Sequence, residues 1–218
     1  MAERAPQSPA RHCPRCPRLV EFRAGLRVKE PDWHNAPVPS FGPLDARLLI
    51  LGLAPGLKGA NRTGRPFTGD HAGRLLYATL LAEGFATGGF AERADDGLRL
   101  IDCRIANAVR CVPPANKPLP AEIASCRPFL EAELAAMPRL RVIVALGQIA
   151  HGAVLACLGL KPASHGFAHG ARHPLPEGRV LLDSYHCSRQ NTNTGRLTEP
   201  MFRAIFVEAR LLLDAPVP

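Results

Sequence analysis

Residues 52–73 read GLAPGLKGANRTGRPFTGDHAG, and this stretch governs how the rest of the chain is interpreted. It follows the apolar run RLLILGL at 47–53 and precedes a helical pattern that begins at Asp70 or His71. Its many glycines let backbone approach a ligand closely, and its prolines stiffen the loop. Open α/β sheets bind ligands at loops of this kind, at the carboxyl end of a strand. We therefore expect the stretch to form the floor of a binding site.

Outward from this loop, apolar runs that predict strands alternate with helical patterns. The predicted strands lie at 47–53, about 98–105, 141–147 and 179–185, and the predicted helices at 19–29, 71–84, 121–137, 147–159 and 198–213. Such alternation predicts a parallel sheet with helices on both faces. The expected fold class is therefore α/β, a three-layer α/β/α sandwich with a short central four-stranded parallel sheet. We expect a single domain over residues 1–218, with residues 1–12 disordered.

Composition limits the class of protein. The 218 residues are 46% hydrophobic and 21% charged, as in an ordinary globular domain. No apolar run approaches the ~20 residues of a membrane helix, and the polar, Pro-rich start does not resemble a signal peptide. We expect a cytoplasmic protein that does not contact a membrane. A net charge of +8, mostly from arginine, suits phosphate binding but does not by itself establish a nucleic-acid partner.

Four of the seven cysteines have the spacing of a metal site. Cys13 and Cys16 form a CxxC pair, and Cys111 and Cys126 flank a Pro-rich turn. An odd number of cysteines argues against a complete set of disulfides. Zinc ribbons usually present two CxxC pairs, whereas irregularly spaced third and fourth ligands are more typical of [4Fe-4S] sites. Spacing alone leaves a cluster, a zinc ion and an unligated pair open.

Two further loops carry polar side chains to the same sheet edge: NAVRCVPPANKP at 107–118 and SYHCSRQNTNTGR at 184–196. The second is suited to gripping phosphates, although it could also be a plain surface connector. Together with GLAPG at 52–56, GRPFTGD at 64–70 and the cysteine spacing, these motifs resemble the uracil-DNA glycosylase superfamily. They are most similar to its iron-sulfur branch, called type B or family five. The resemblance extends over about residues 13–201.

The resemblance implies an α/β/α fold, in agreement with the strand pattern, and a monofunctional DNA-repair glycosylase. Such an enzyme flips a base out of the duplex, hydrolyses its N-glycosidic bond and leaves an abasic site. The substrate would be uracil, and also other deaminated or damaged bases, in DNA bound by a monomer. The resemblance also favours a [4Fe-4S] cluster, held by Cys13, Cys16, Cys111 and Cys126. No lysine nucleophile lies in these motifs, so a lyase step is not expected.

Three residues at matching positions would handle the base. Phe67 would stack on it, Asn107 would read its Watson-Crick edge with an amide that both donates and accepts, and His186 would donate to O2. The structural alternatives are a hydrophobic plug for Phe67, a bond to local backbone for Asn107 and a purely structural role for His186. His12 and His173, in contrast, are expected to lie in solvent.

A glycosylase also needs a carboxylate for the attacking water and the positively charged sugar. Ala54 occupies the place where many branches of the superfamily carry an acidic or amide residue, and the branch resembled here shares that absence. Asp70 is the nearest candidate, although an aspartate there could also cap a helix. Asn116 is a further polar candidate.

One motif departs from the superfamily pattern. The HPS motif is here His186-Cys187-Ser188, so a stiffening proline is lost and a thiol is expected beside the site. Because of Ala54 and Cys187, a non-catalytic protein that binds damaged DNA or abasic sites is the alternative function. A nucleotide-binding enzyme is disfavoured, since neither GK[ST] nor GxGxxG follows the first strand. The remaining candidates for binding substrate or phosphates are Gly52, Pro55, Gly56, Ser188, Arg189, Gln190, Asn191 and Arg196.

Overall fold

The computed structural model describes residues 7–216. The helices and strands of this part follow one another as α1 (Pro17–Lys29), β1 (Leu48–Gly52), α2 (Ala60–Thr63), α3 (His71–Ala82), β2 (Ala86–Thr87), β3 (Arg99–Leu100), β4 (Cys103–Asn107), α4 (Pro120–Ala135), β5 (Val142–Leu146), α5 (Gln148–Cys157), β6 (Arg172–Pro174), β7 (Val180–Ser184), α6 (Arg189–Asn193) and α7 (Glu199–Asp214). In the part of the chain described, no helix combines the length and apolarity needed to cross a membrane.

The central sheet has five strands in the order β4-β1-β5-β7-β6. The first four are parallel and almost entirely buried, which confirms the predicted parallel sheet. The predicted number of four strands was too low, because β6 pairs antiparallel with β7 at the edge. Its residues, Arg-His-Pro, have no apolar run to reveal a strand, and a proline is tolerated at a sheet edge.

The second predicted strand is shorter than expected. Asp102 has φ 51°, a left-handed conformation that interrupts extended backbone. Residues before it form β3, which pairs with β2 in a separate two-stranded sheet, and β4 begins only at Cys103. As a result β4 ends at Asn107, directly beside Gly52 at the end of β1.

Helices cover both faces of the sheet. On one face α3 and α7 pack Leu76, Leu80, Phe202 and Phe206 against the strands. On the other, α4 and α5 contribute leucines and valines, among them Leu130. Because the four parallel strands all end at one edge, their following loops meet there, and the three-layer sandwich positions the site.

Residues before α1 are partly held by hydrogen bonds. The Ala10 carbonyl accepts from the Cys13 amide, and the Arg11 carbonyl accepts from the side chains of Arg23 and Arg27. Of the segment expected to be disordered, residues 1–6 lie outside the described residues.

Candidate active site and cysteine centre

A cavity of about 750 Å³ lies at the carboxyl edge of the sheet. It brings together ten of the residues predicted from sequence: Ala54, Gly56, Phe67, Asp70, Asn107, Asn116, His186, Ser188, Arg189 and Gln190. These residues come from the loops after β1, β4 and β7, as expected for strands that run in parallel.

Phe67 and Asn107 form one wall of the cavity. Phe67 has φ 52° and is 7% exposed, and Asn107 is 3% exposed. Both pack over Gly52, where an added Cβ would lie 2.6 Å from Phe67 Cζ and 2.5 Å from Asn107 Oδ1. The Asn107 Oδ1 atom is buried and has no hydrogen-bond partner among residues 7–216. An unpaired buried amide oxygen is costly, so it marks a position where a ligand donor fits.

His186 faces Phe67 across the cavity, with their ring centroids 6.0 Å apart and their planes inclined by 30°. Burial lowers the pKa of His186 to about 4. The imidazole is therefore neutral near pH 7, with one ring nitrogen that donates and one that accepts.

Asp70 is both a helix cap and a cavity residue. Its Oδ1 accepts from the Gly73 amide at 3.1 Å, which caps α3. Its Oδ2 faces the backbone of the first loop, 2.9 Å from where a Cβ on Gly56 would lie. Burial raises the pKa of Asp70, while the amides of Gly73 and Ala72 act in the opposite direction. The cap holds the carboxylate rigidly, with one oxygen directed away from the helix.

The polar loop after β7 folds into the short helix α6, which the sequence pattern did not reveal. Ser188 caps it by accepting from the Asn191 amide at 3.4 Å. Asn191 in turn donates through Nδ2 to the His186 carbonyl at 2.8 Å, so it braces the His186 backbone instead of lining the cavity. Arg189 and Gln190 are exposed at the cavity mouth.

The first loop divides into lining and supporting residues. Ala54 lines the cavity on one side and packs against the cysteines on the other. Pro55 is buried below the loop, and Gly52 lies beneath the Phe67 ring. Ala54 therefore lies between the cavity and the cysteine centre.

Cys187 lies beside the cavity, near Phe67 and Asp70, and does not line it. It is fully buried in the apolar core that includes Phe67, and burial raises the pKa of its thiol. His186 lines the cavity, whereas the next side chain packs among the core residues. A thiol in this place stays protonated and acts as a small apolar residue.

Several cavity residues were missed by the sequence reasoning: Leu53, Leu57, Lys58, Gly59, Ala60, His71 and Ala72. His71 Nε2 lies 2.8 Å from Thr192 Oγ1, which ties the start of α3 to α6. Lys58 is exposed and offers a positive charge near the mouth. Both residues lie in the glycine-rich stretch 52–73. Their place in that stretch is the feature of the sequence from which they could have been predicted as cavity residues. Arg196, outside the cavity, stacks over Tyr185 at 4.5 Å.

The four predicted cysteines converge beside α1. Cys13, Cys16, Cys111 and Cys126 line one small void together with apolar residues such as Leu19. The amide of Arg110 donates to Cys126 Sγ at 3.4 Å. Burial raises the pKa of Cys126 and brings that of Cys111 to about 12.

The ligand chemistry bears on which group fits this centre. Four cysteines line the void, and within residues 7–216 neither a histidine nor a carboxylate is among the residues that line it. An all-thiolate set of four ligands suits a [4Fe-4S] cluster and also a structural zinc ion. The residues present therefore fit the cluster that the resemblance implies.

An ion pair next to this centre fixes the loop that follows β4. Arg110 donates to Glu133 Oε2 at 2.7 Å, with 2% and 1% of the two side chains exposed. Arg104 also pairs with Glu133. The pair joins α4 to the segment between Asn107 and Cys111. Buried charges need partners, and here the pairing fixes the wall that carries Asn107.

The prediction that His173 lies in solvent was wrong. Its side chain is only 11% exposed, and Nε2 lies 3.0 Å from Asp183 Oδ2. The short strand β6 places it against the sheet, and that strand was not predicted. His12, in contrast, is exposed as expected.

The fold and the cavity define a class: an α/β protein with a ligand site at the carboxyl edge of its sheet and a four-cysteine centre beside it. A family model described as the Uracil DNA glycosylase superfamily matches residues 39–210. A type-5 uracil-DNA glycosylase of Thermus thermophilus is 50% identical over 206 residues, which cover 92% of this chain and 93% of that protein.

The type-5 uracil-DNA glycosylase of Mycobacterium tuberculosis is 45% identical over 212 residues, 92% of this chain and 78% of that protein. A type-4 uracil-DNA glycosylase of Pyrobaculum aerophilum is 31% identical over 183 residues, 81% of this chain and 78% of that protein. The chain therefore belongs to the uracil DNA glycosylase superfamily, in its type-5 branch.

Proposed function

We propose that this protein is a monofunctional DNA-repair enzyme that hydrolyses the N-glycosidic bond of uracil, and of other deaminated bases, in DNA and leaves an abasic site. The observation that carries the proposal is the buried Asn107 amide oxygen without a partner, in a cavity that also presents an aromatic ring, a carboxylate and a neutral histidine. Two relatives named type-5 uracil-DNA glycosylase, which align with 92% of the chain, support it.

Base recognition would fall to Asn107 and Phe67. Uracil offers one donor, N3–H, between two carbonyl acceptors. The Asn107 Oδ1 would accept from N3–H, and the Asn107 amide nitrogen would donate to O4. The Phe67 ring, held by its backbone and by Gly52 below it, would stack on the flipped base. The base thereby fills the position that leaves Oδ1 unpaired.

Departure of the base would be assisted by His186. As the glycosidic bond breaks, negative charge develops on O2 of the uracil. A neutral imidazole can donate one N–H to that oxygen, and it is already neutral because burial lowers its pKa to about 4. Asn191 fixes the backbone that presents the ring.

Water activation would fall to Asp70. Its free oxygen can accept a hydrogen bond from the attacking water and stabilise the positive charge of an oxocarbenium-like sugar, as carboxylates do in glycoside hydrolysis. The capping bond from Gly73 orients it without consuming that oxygen. Asn116, at the mouth of the same cavity, is placed to assist as a second polar group.

The four cysteines would hold a [4Fe-4S] cluster with a structural role. Their number, their all-thiol chemistry and their irregular spacing along the sequence support this assignment. The cluster would join α1 to the loop after β4 and to α4. Anaerobic purification should give a brown protein with about four iron atoms per chain, whereas one zinc atom per chain and no iron would overturn the assignment.

DNA is the proposed partner, bound by a monomer. The exposed Arg189 and Gln190 at the cavity mouth would fill the gap left by the flipped base or contact phosphates, and the exposed Lys58 of the same cavity would contact phosphates as well. The excess of arginine over acidic residues favours this partner.

The decisive assay is alkali-sensitive strand cleavage over a panel of oligonucleotides that each carry one lesion: uracil, hypoxanthine, xanthine or ethenocytosine. Uracil release with a retained, alkali-labile strand is expected. Tight binding to uracil-containing DNA without any base release would instead support a non-catalytic damage-binding protein. Strand cleavage before alkali treatment would indicate a lyase step and contradict the monofunctional assignment.

A further inference from the structure

A buried cluster of two histidines and one aspartate lies apart from the cavity. His151 of α5, His173 of β6 and Asp183 of β7 place their ligand atoms within 4.8 Å of one another. The side chains of His151 and Asp183 are 5% and 0% exposed. None of the three residues lines the cavity described above.

The hydrogen bonds of this cluster require a proton or a metal ion between His151 and Asp183. His151 Nε2 lies 2.8 Å from the His165 carbonyl oxygen, which can only accept, so Nε2 carries the proton. A neutral His151 then presents an unprotonated Nδ1 to Asp183 Oδ1 at 2.8 Å, and two acceptors at that distance repel each other. The conflict ends only when a proton or a metal ion lies between them.

The negative charge of Asp183 also favours a bound cation. Asp183 is buried, and in the part of the chain described neither lysine nor arginine forms an ion pair with it; its two partners are His151 and His173. A buried carboxylate needs a compensating positive charge. A divalent cation would supply that charge and could bind all three groups.

The geometry suits a transition metal. Imidazole nitrogens bind such ions at about 2.0–2.1 Å and carboxylate oxygens at about 2.0–2.2 Å, so adjacent ligand atoms lie about 2.9–3.4 Å apart. His151 Nδ1 lies 2.8 Å from Asp183 Oδ1 and His173 Nε2 lies 3.0 Å from Asp183 Oδ2, close to the short end of this range, so an ion would enter with a small outward movement of the rings. The His165 carbonyl, which receives the other N–H of His151, is the usual outer partner of a metal-bound histidine.

We propose that His151, His173 and Asp183 form a second metal site, which takes one divalent ion of the kind imidazole prefers, such as Zn²⁺. On binding, the ion replaces the protons on His151 Nδ1 and His173 Nε2, which pass to solvent, and each ring keeps a proton on its other nitrogen. The ion joins α5, β6 and β7. Its ligand on β7, Asp183, lies three residues before His186 in the chain. The His173 side chain is 11% exposed, and its exposed edge is the path of entry.

The test uses the full chain, purified anaerobically with its cysteine centre loaded, dialysed against metal-free buffer and titrated with zinc chloride. Wild-type protein should bind one zinc per chain beyond the metal in the cysteine centre, and its Tm should rise with zinc. His173→Gln should bind at least ten-fold more weakly. The matched control is His165→Ala, which removes a half-buried ring next to His173 but keeps the carbonyl that accepts from His151, and it should bind like wild type.

Cobalt(II) distinguishes the two metal centres. The ion bound by wild-type protein should show no thiolate-to-cobalt charge-transfer band, because its ligands are nitrogen and oxygen. The proposal is overturned if the wild-type chain takes up no additional zinc, if His173→Gln binds as tightly as wild type, or if the cobalt spectrum shows thiolate ligation. Asp183→Asn should also weaken zinc binding, but its side chain is fully buried and the variant could fail to fold. His173 is at the edge of the cluster and partly exposed, so His173→Gln tests the site in a folded protein.

Discussion

Replacing Gly52 with alanine tests the base-binding wall without altering any proposed catalytic side chain. The new Cβ would lie 2.6 Å from Phe67 Cζ and 2.5 Å from Asn107 Oδ1. An ordinary contact is about 3.4 Å or more, so the ring and the amide must each retreat by roughly 0.8–0.9 Å. A misplacement of about 1 Å in an active site can reduce the rate by about 100-fold. We therefore expect Gly52→Ala to release uracil about 100-fold more slowly than wild type.

The assay is single-turnover release of uracil from a duplex oligonucleotide, with enzyme in excess and varied in concentration. This separates the maximal rate from the half-saturating concentration. DNA contacts outside the cavity are unaltered, so most of the loss should appear in the maximal rate. Overpacking of this kind costs about 1–3 kcal/mol of unfolding free energy, and each kcal/mol lowers the Tm by about 2–4 °C at this size.

Gly152→Ala is the matched control. Gly152 lies inside α5, and an added Cβ meets nothing within 4 Å. The control should keep the wild-type rate and gain up to about 1 kcal/mol from helix propensity. If folded Gly52→Ala releases uracil within about threefold of wild type, neither the Phe67 ring nor the Asn107 amide needs its observed position, and the proposed base-binding wall is refuted.

Three further changes probe other parts of the protein. Asp70→Asn should lower the single-turnover rate by about 10²–10⁴-fold; burial raises the pKa of Asp70, so the wild-type rate should fall as pH drops through that pKa, and the variant should lose this acid limb. His186, with a pKa of about 4, should add no titration near neutrality. Glu133→Gln should cost about 3–5 kcal/mol in denaturant unfolding, because it leaves the buried Arg110 charge without its carboxylate. Cys126→Ser should lose bound iron and make the segment before α1 sensitive to protease, as followed by iron analysis and limited proteolysis.

Each of these expectations has a clear contrary result. An unchanged rate for Asp70→Asn would remove Asp70 from water activation and leave it as a helix cap. Glu133→Gln with wild-type stability would show that water, not the ion pair, solvates Arg110. Full iron content in Cys126→Ser would mean that Cys126 is not a ligand.

Much of the site could be predicted because parallel strands order their loops. A continuous apolar run such as 47–53 is a buried strand, and the loops after such strands must meet at one edge. That order predicts that the loops carrying Phe67, Asp70, Asn107 and His186 meet, and the resemblance to the superfamily singles out these four residues within them; the cavity contains all four.

Other features depended on contacts between distant residues. Cys187 follows His186 directly, yet its thiol is buried in the core cluster to which α3 and α7 contribute. His173 is buried because a three-residue edge strand pairs with β7, and so short a strand has no readable period. The role of Asn191 as a brace appears only once α6 forms.

By itself, the sequence determined the layer architecture, the four converging cysteines and the loops that carry the chemistry, since strand periodicity and motif spacing are local properties of the chain. The tertiary structure alone decided the protonation state of His186, the unpaired oxygen of Asn107 and the cluster around Asp183. The physical reason is that desolvation and hydrogen-bond satisfaction depend on every group packed around an atom, and those groups come from parts of the chain that only the fold brings together.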